Sequence, residues 1–184
     1  GVSAGEMLQN YLLGSLPPTV LALPGGGRFG AFSTLASASC LCDEARTRHF
    51  LHAIGDAIRT LDNGAGPIEV IDAGCGSTPI LGIYAALCSP NVFVTALEMN
   101  PLSVRIARDI VSGLSLQQQV RIIECDATSY QHDSPVDLLI SETMHTALTD
   151  EPIVSIMRNL STFRSDRCIT IPGAVVIKAA LVPL

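Results

Sequence analysis

The sequence predicts an α/β domain, a mostly parallel β-sheet with helices on both faces, and three observations lead there. From residue 68 onward, short apolar runs alternate with segments of helical period. The composition is 48% hydrophobic and 15% charged with a mean hydropathy of +0.41, which suits elements buried on both faces and excludes a disordered chain. A turn with two glycines, Gly74-Cys75-Gly76, separates the first apolar run from the helical segment after it. The 184 residues are enough for one sizeable core. The expected division is an amino-terminal helical and loop arm over residues 1–40 and one domain over 41–184.

Residues 4–14 have the pattern of a short helix, and the segment 16–30, with Pro17, Pro18, Pro24 and the run Gly25-Gly26-Gly27, reads as a loop. Over 43–61, Phe50, Leu51, Ile54, Ala57, Ile58 and Leu61 recur at helical spacing, with Asp43 placed to cap and Glu44 in the first turn. Strands are expected over 68–72, 92–97, 120–124, 136–140 and 168–171, and helices over 80–88, 101–114 and 152–163. Pro101 and Pro152 suit first helical turns. Alternation of this kind implies right-handed crossovers between parallel strands. The apolar segment 174–184 reads as an additional carboxyl-terminal strand.

Several function classes fall away on composition. No run of about 18 uncharged apolar residues escapes interruption, so no membrane span is expected. No basic residue precedes Arg28 and no lipidation motif is present, which gives a cytoplasmic address as the expectation. A net charge of −6 argues against binding nucleic acid, which needs a basic surface, and favours a basic partner or a small substrate. Of the six cysteines only Cys40 and Cys42 are close, at a spacing that suits neither zinc nor a redox pair, so reduced thiols are expected. His49, His52 and His132 lack ligand spacing, and no metal site is expected.

The chemistry is concentrated at strand ends. In Asp72-Ala73-Gly74-Cys75-Gly76 the glycines allow a ligand close to the backbone at the carboxyl edge of the sheet. A dinucleotide fingerprint would place a third glycine near Pro79, and none is there. Asp72 suits a ligand with a positively charged amino group. Glu98 closes the second strand, 22 residues after Gly76, where a carboxylate can accept both hydroxyls of a ribose; capping the next helix is the alternative. Asp126, after the third strand, stands where an adenine amino group would lie, or is a plain loop residue.

This order of strand, Asp-x-Gly-x-Gly, strand ending in Glu and strand ending near Asp resembles the Rossmann-like class I S-adenosylmethionine-dependent methyltransferases. Three further segments resemble the catalytic core of protein arginine methyltransferases: 41–47, which contains Arg46, then 136–144, and Ile171-Pro172-Gly173-Ala174. The resemblance spans about residues 41–180 and implies a core strand order of 3-2-1-4-5, with S-adenosylmethionine as cofactor and S-adenosylhomocysteine as product. It places Arg46, Asp72, Gly74, Gly76, Glu98, Met99, Asp126 and Ala127 against the cofactor, Arg46 on its carboxylate. Glu142 and Glu151, nine positions apart, match the two glutamates that grip a guanidinium in that family, and His145 falls on the substrate side or in the loop. The aromatic motif that this family carries on its amino-terminal helix has no counterpart in 28–38, and Ser77-Thr78-Pro79 adds a residue to the glycine turn. The acceptor therefore stays open between a basic protein or guanidinium group and a small molecule, beside the alternative of a binding module without turnover. The apolar segment 179–184 leads to the expectation of a homodimer or of a longer chain.

Overall fold

Asp43 begins the first described helix as its residue type predicts: its Oδ1 accepts the Arg46 backbone N–H at 3.0 Å and caps α1 (Glu44–Leu61). The computed structural model describes Cys40 and residues 43–64, 66–144 and 152–176. The expected helix over 4–14, the loop over 16–30 and the rest of the arm up to residue 39 lie outside the described residues. Along α1, Ile54, Ala57, Ile58 and Leu61 form one buried face.

Strands β1 (Ile68–Ala73), β2 (Val92–Glu98), β3 (Val120–Glu124), β4 (Val136–Ser141) and β5 (Arg164–Ile171) make one sheet in the order β3-β2-β1-β4-β5. Every neighbouring pair is parallel. The helices between them are α2 (Ile80–Cys88), α3 (Pro101–Gly113) and α4 (Ile153–Leu160). One apolar layer joins α1, α2 and α3 to one face of the sheet, through residues such as Ile58, Ala85, Val104, Val70 and Leu138. The other joins α4 to the opposite face, through Ile71, Leu97, Leu139, Ile156 and Leu160. Asn100 and Pro101 open α3, with the Asn100 side chain accepting from Leu102 N and Ser103 N.

Two polar clamps hold the sheet where apolar packing alone would leave carbonyls unpaired. Gln119 Nε2 lies within 3.2 Å of the carbonyls of Ala86, Ser89 and Val92 and joins the end of α2 to the start of β2. Arg167 grips Asp137 from two sides, Nε to Oδ1 at 2.8 Å and Nη2 to Oδ2 at 3.0 Å, and also reaches the carbonyls of Leu61 and Pro67. The Asp137 carboxyl is buried, which raises its pKa. Hydrogen bonds from Arg167, Ser165 and the Glu69 amide outweigh that and hold it below the usual carboxylate range.

The inward turn of Arg167 explains why β5 begins at Arg164 and not at Cys168. Arg164-Ser165-Asp166-Arg167 looks like a polar loop in sequence, but pairing with β4 resumes after a register shift between Val136 and Leu138. The helix expected over 152–163 ends at Leu160 and tightens into a 3₁₀ turn over Ser161–Phe163. Residues 174–176, expected to open a further strand, carry none, and the remainder of that segment lies outside the described residues.

Candidate functional site

The strand order reverses between β2 and β4 around β1, so a crevice opens at the carboxyl edge where ligands bind in such sheets. The glycine turn follows β1 at that edge. Gly74 N and Cys75 N both donate to the Leu97 carbonyl, at 2.9 and 3.0 Å, which holds the turn against the end of β2. Gly74 has φ +73° and Gly76 φ +67°, the left-handed region that favours glycine. A Cβ on Gly74 would lie 2.3 Å from Thr143 Cγ2, so the turn has room only for a bare backbone.

Glu98 receives the rest of the turn: its Oε2 accepts Gly76 N at 2.9 Å and its Oε1 accepts Asn100 N at 2.8 Å. The Asn100 side chain, and not that of Glu98, caps α3. Burial raises the Glu98 pKa, against the amides of Asn100, Gly76 and Met99. Asp72 lies beneath α2 at 2% exposure, with Oδ2 accepting Gly82 N at 2.9 Å. Its pKa is pushed up to about 7 by burial; the Gly82 N–H opposes this and the neighbouring Glu98 adds to it.

On the far side of β2, Cys125 N donates to the Glu98 carbonyl at 3.0 Å and brings the end of β3 alongside. Asp126 follows, exposed, with Oδ1 accepting Thr128 N at 2.8 Å and Thr128 Oγ1 at 2.7 Å. Ala127 is buried beneath it.

Arg46, from the first turn of α1, crosses to Glu142 just past β4, Nη1 to Oε2 at 3.0 Å, and its Nη2 donates to the Cys40 carbonyl at 2.7 Å. Both side chains are mostly buried, at 29% and 19% exposure. Burial works against the Arg46 charge, but the Cys40 side chain, Glu142 and Asp43 outweigh it and raise its pKa. Ser141 and Thr143 hydroxyls meet at 3.1 Å on either side of Glu142.

One cavity of about 500 Å³ is lined by Arg46, Asp72, Gly74, Gly76, Glu98, Met99, Asp126, Ala127 and Glu142. That volume is in the range of cofactor and small-molecule sites. Every described residue singled out from the sequence as a site residue borders it; Glu151 and His145 lie outside the described residues. Sequence reasoning passed over Phe50, Thr78, Cys125, Thr143 and Ser155, which also line the cavity. Cys125 adjoins Asp126 and Thr143 adjoins Glu142, so their positions at strand ends were the available signal. No such signal marked Phe50 or Ser155.

A model of the methyltransferase domain family matches residues 70–163, from β1 to the turn before β5. An uncharacterized protein of Methanocaldococcus jannaschii is 31% identical over 122 residues, 66% of this chain and 43% of that protein. One of Methanothermobacter thermautotrophicus is 32% identical over 135 residues, 73% of this chain and 48% of that protein. The chain thus spans about half the length of the curated relatives it matches. Among solved structures, protein arginine methyltransferase 10 of Arabidopsis thaliana has a TM-score of 0.60 at 23% identity, covering 71% of this chain and 36% of that one. The Trypanosoma brucei PRMT1 enzyme–prozyme complex has a TM-score of 0.61 at 23% identity, covering 71% of this chain and 39% of that one. A SAM-dependent methyltransferase from Thiobacillus denitrificans has a TM-score of 0.51 at 21% identity, covering 66% of this chain and 46% of that one. These structures share the fold.

Proposed function

Because this chain belongs to the methyltransferase domain family, we propose that it is an enzyme that binds S-adenosylmethionine in the carboxyl-edge cavity and delivers its methyl group to an acceptor nucleophile. The observation that carries this reading is the gathering of one partly buried arginine, four carboxylates and the glycine turn around one cavity. Bound there, the cofactor supplies a sulfonium methyl for in-line displacement, which leaves positioning and exclusion of water to the protein.

Arg46, turning from Glu142 and the Cys40 carbonyl, takes the cofactor carboxylate as a two-pronged donor. Gly74 and Gly76 let the amino acid portion approach the backbone, Asp72 offers negative potential to its amino group, and Glu98 accepts from the ribose hydroxyls. Met99, Asp126 and Ala127 border the adenine. When Arg46 turns to the cofactor, Glu142 loses its present partner and becomes free to accept an N–H from the acceptor, orienting the nitrogen and stabilising its charge. Glu151 would supply the second carboxylate of the pair. A basic protein side chain fits that chemistry, and a small amine in the same cavity is the second reading.

Thermal unfolding with S-adenosylhomocysteine, and with NAD as control, tests the cofactor. At about 100 times its dissociation constant a ligand adds roughly 2.7 kcal/mol, which raises the midpoint by roughly 5–10 °C for a domain of this size. A rise with the first ligand alone, lost in Arg46→Ala or Glu98→Ala, is the expected outcome. A rise with NAD in its place would refute the reading. Labelled methyl donor offered to arginine-rich peptides and to a metabolite extract then separates the acceptors, and unchanged turnover in Glu142→Gln would remove that residue from the mechanism.

A further inference from the structure

We propose that Asn159 is a positioning residue for adenine recognition, a role that rests on the cofactor reading above. Asn159 sits on α4, partly buried, and does not line the cavity. Its Nδ2 donates to the Ala127 carbonyl at 3.0 Å and to the Tyr130 carbonyl at 2.8 Å. Those carbonyls bracket the loop that leaves β3, where no strand or helix is present to satisfy them. An amide nitrogen carries two N–H groups and can bridge two acceptors, which few other side chains of this size can do.

The loop so held is the one that carries Asp126. Thr128 occupies Asp126 Oδ1 with both its amide and its hydroxyl, and Ser129 N donates to the Asp126 carbonyl at 3.1 Å. With Oδ1 committed to this turn, Oδ2 is the oxygen that remains for the exocyclic amino group of a base. Its direction depends on where residues 127–130 run, and Asn159 sets that path from outside. The helix that carries Asn159 is also anchored on the sheet, because Ile156 and Leu160 share an apolar layer with Ile71, Leu97 and Leu139. Pro152, Ser155 and Ile156 of the same helix region border the cavity, so the bridge ties the adenine loop to the cavity wall.

Titration calorimetry of the 184-residue chain with S-adenosylhomocysteine and with S-inosylhomocysteine, whose base carries a carbonyl where adenine has its amino group, tests the role. The unmodified chain is expected to prefer the adenine ligand by about 10- to 100-fold, the span for a hydrogen bond to a charged group. Asn159→Asp keeps the shape but faces two carbonyls with a carboxylate, and the preference should fall to within about threefold. Asn159→Ala, which adds no charge, carries the same expectation if the aspartate variant does not fold. A variant that weakens both ligands equally and keeps the preference has lost only stability, and that result would overturn the proposal. Binding by the unmodified chain without base preference would overturn it too, whereas failure to bind S-adenosylhomocysteine at all would sink the cofactor reading first.

Discussion

Replacing Asp72 with asparagine removes a buried ionisable group while keeping its shape, and the consequence for stability follows from the geometry. Asp72 is 2% exposed and its Oδ2 accepts the Gly82 N–H. Burial, resisted by that N–H and reinforced by Glu98, moves its pKa from 3.8 to about 7. A carboxyl that holds its proton more tightly when folded contributes stability that is complete below the unfolded value. That contribution is lost as pH rises from about 4 through about 7. At about 1.4 kcal/mol per tenfold, the complete loss is roughly 4 kcal/mol. Asparagine has no such titration, and its weaker acceptance from Gly82 is the same at every pH. The stability of Asp72→Asn relative to the unmodified chain should therefore improve by roughly 3 kcal/mol between about pH 4.5 and about pH 8.5, roughly 6–12 °C in midpoint. Thermal unfolding without ligand, followed by circular dichroism at both pH values, measures this double difference. A difference that stays constant within about 1 kcal/mol, or that shrinks as pH rises, would show that Asp72 is not the buried, charge-strained group described.

Three other perturbations test separate parts of the structure. Gly74→Ala puts a methyl group on Thr143 and a side chain at φ +73°, and should cost about 1–2 kcal/mol of backbone strain in urea unfolding and weaken S-adenosylhomocysteine binding in calorimetry. Arg167→Ala leaves the buried Asp137 without its cation and should cost about 3–5 kcal/mol in urea unfolding, with Arg167→Lys intermediate because it keeps the charge but not the fork. Gln119→Ala strips a donor from three carbonyls and should cost about 1–3 kcal/mol; an unchanged urea midpoint would mean that solvent satisfies them.

Strands β1 to β4 were legible because each is an apolar run bounded by turn residues, and buried parallel strands require that pattern. β5 was half legible. Cys168-Ile169-Thr170-Ile171 reads as a strand, but Ser165 and Arg167 before it are held at the sheet by Asp137, 28 and 30 positions away. The same distinction separates the site residues. Asp72, Glu98, Asp126 and Glu142 lie at or just past strand ends, and a parallel sheet brings all of its carboxyl ends to one edge, so chain position alone was enough to assemble them.

Arg46 and Asn159 show where that reasoning stops. Arg46 precedes the first strand, so no strand end marks it; the structure gives Asp43 the Arg46 backbone N–H and sends the guanidinium to Glu142, 96 residues on. Asn159 lies between Arg158 and Leu160 in an amphipathic helix, where a polar residue ordinarily means a solvated face. Its function in the structure arises because the β3–β4 connection leaves two carbonyls turned toward α4, and irregular backbone leaves no periodic trace of that need in the sequence. Residues that line the cavity are thus legible where the sheet brings them together, while a residue that holds their loop becomes visible only once the loop has a course.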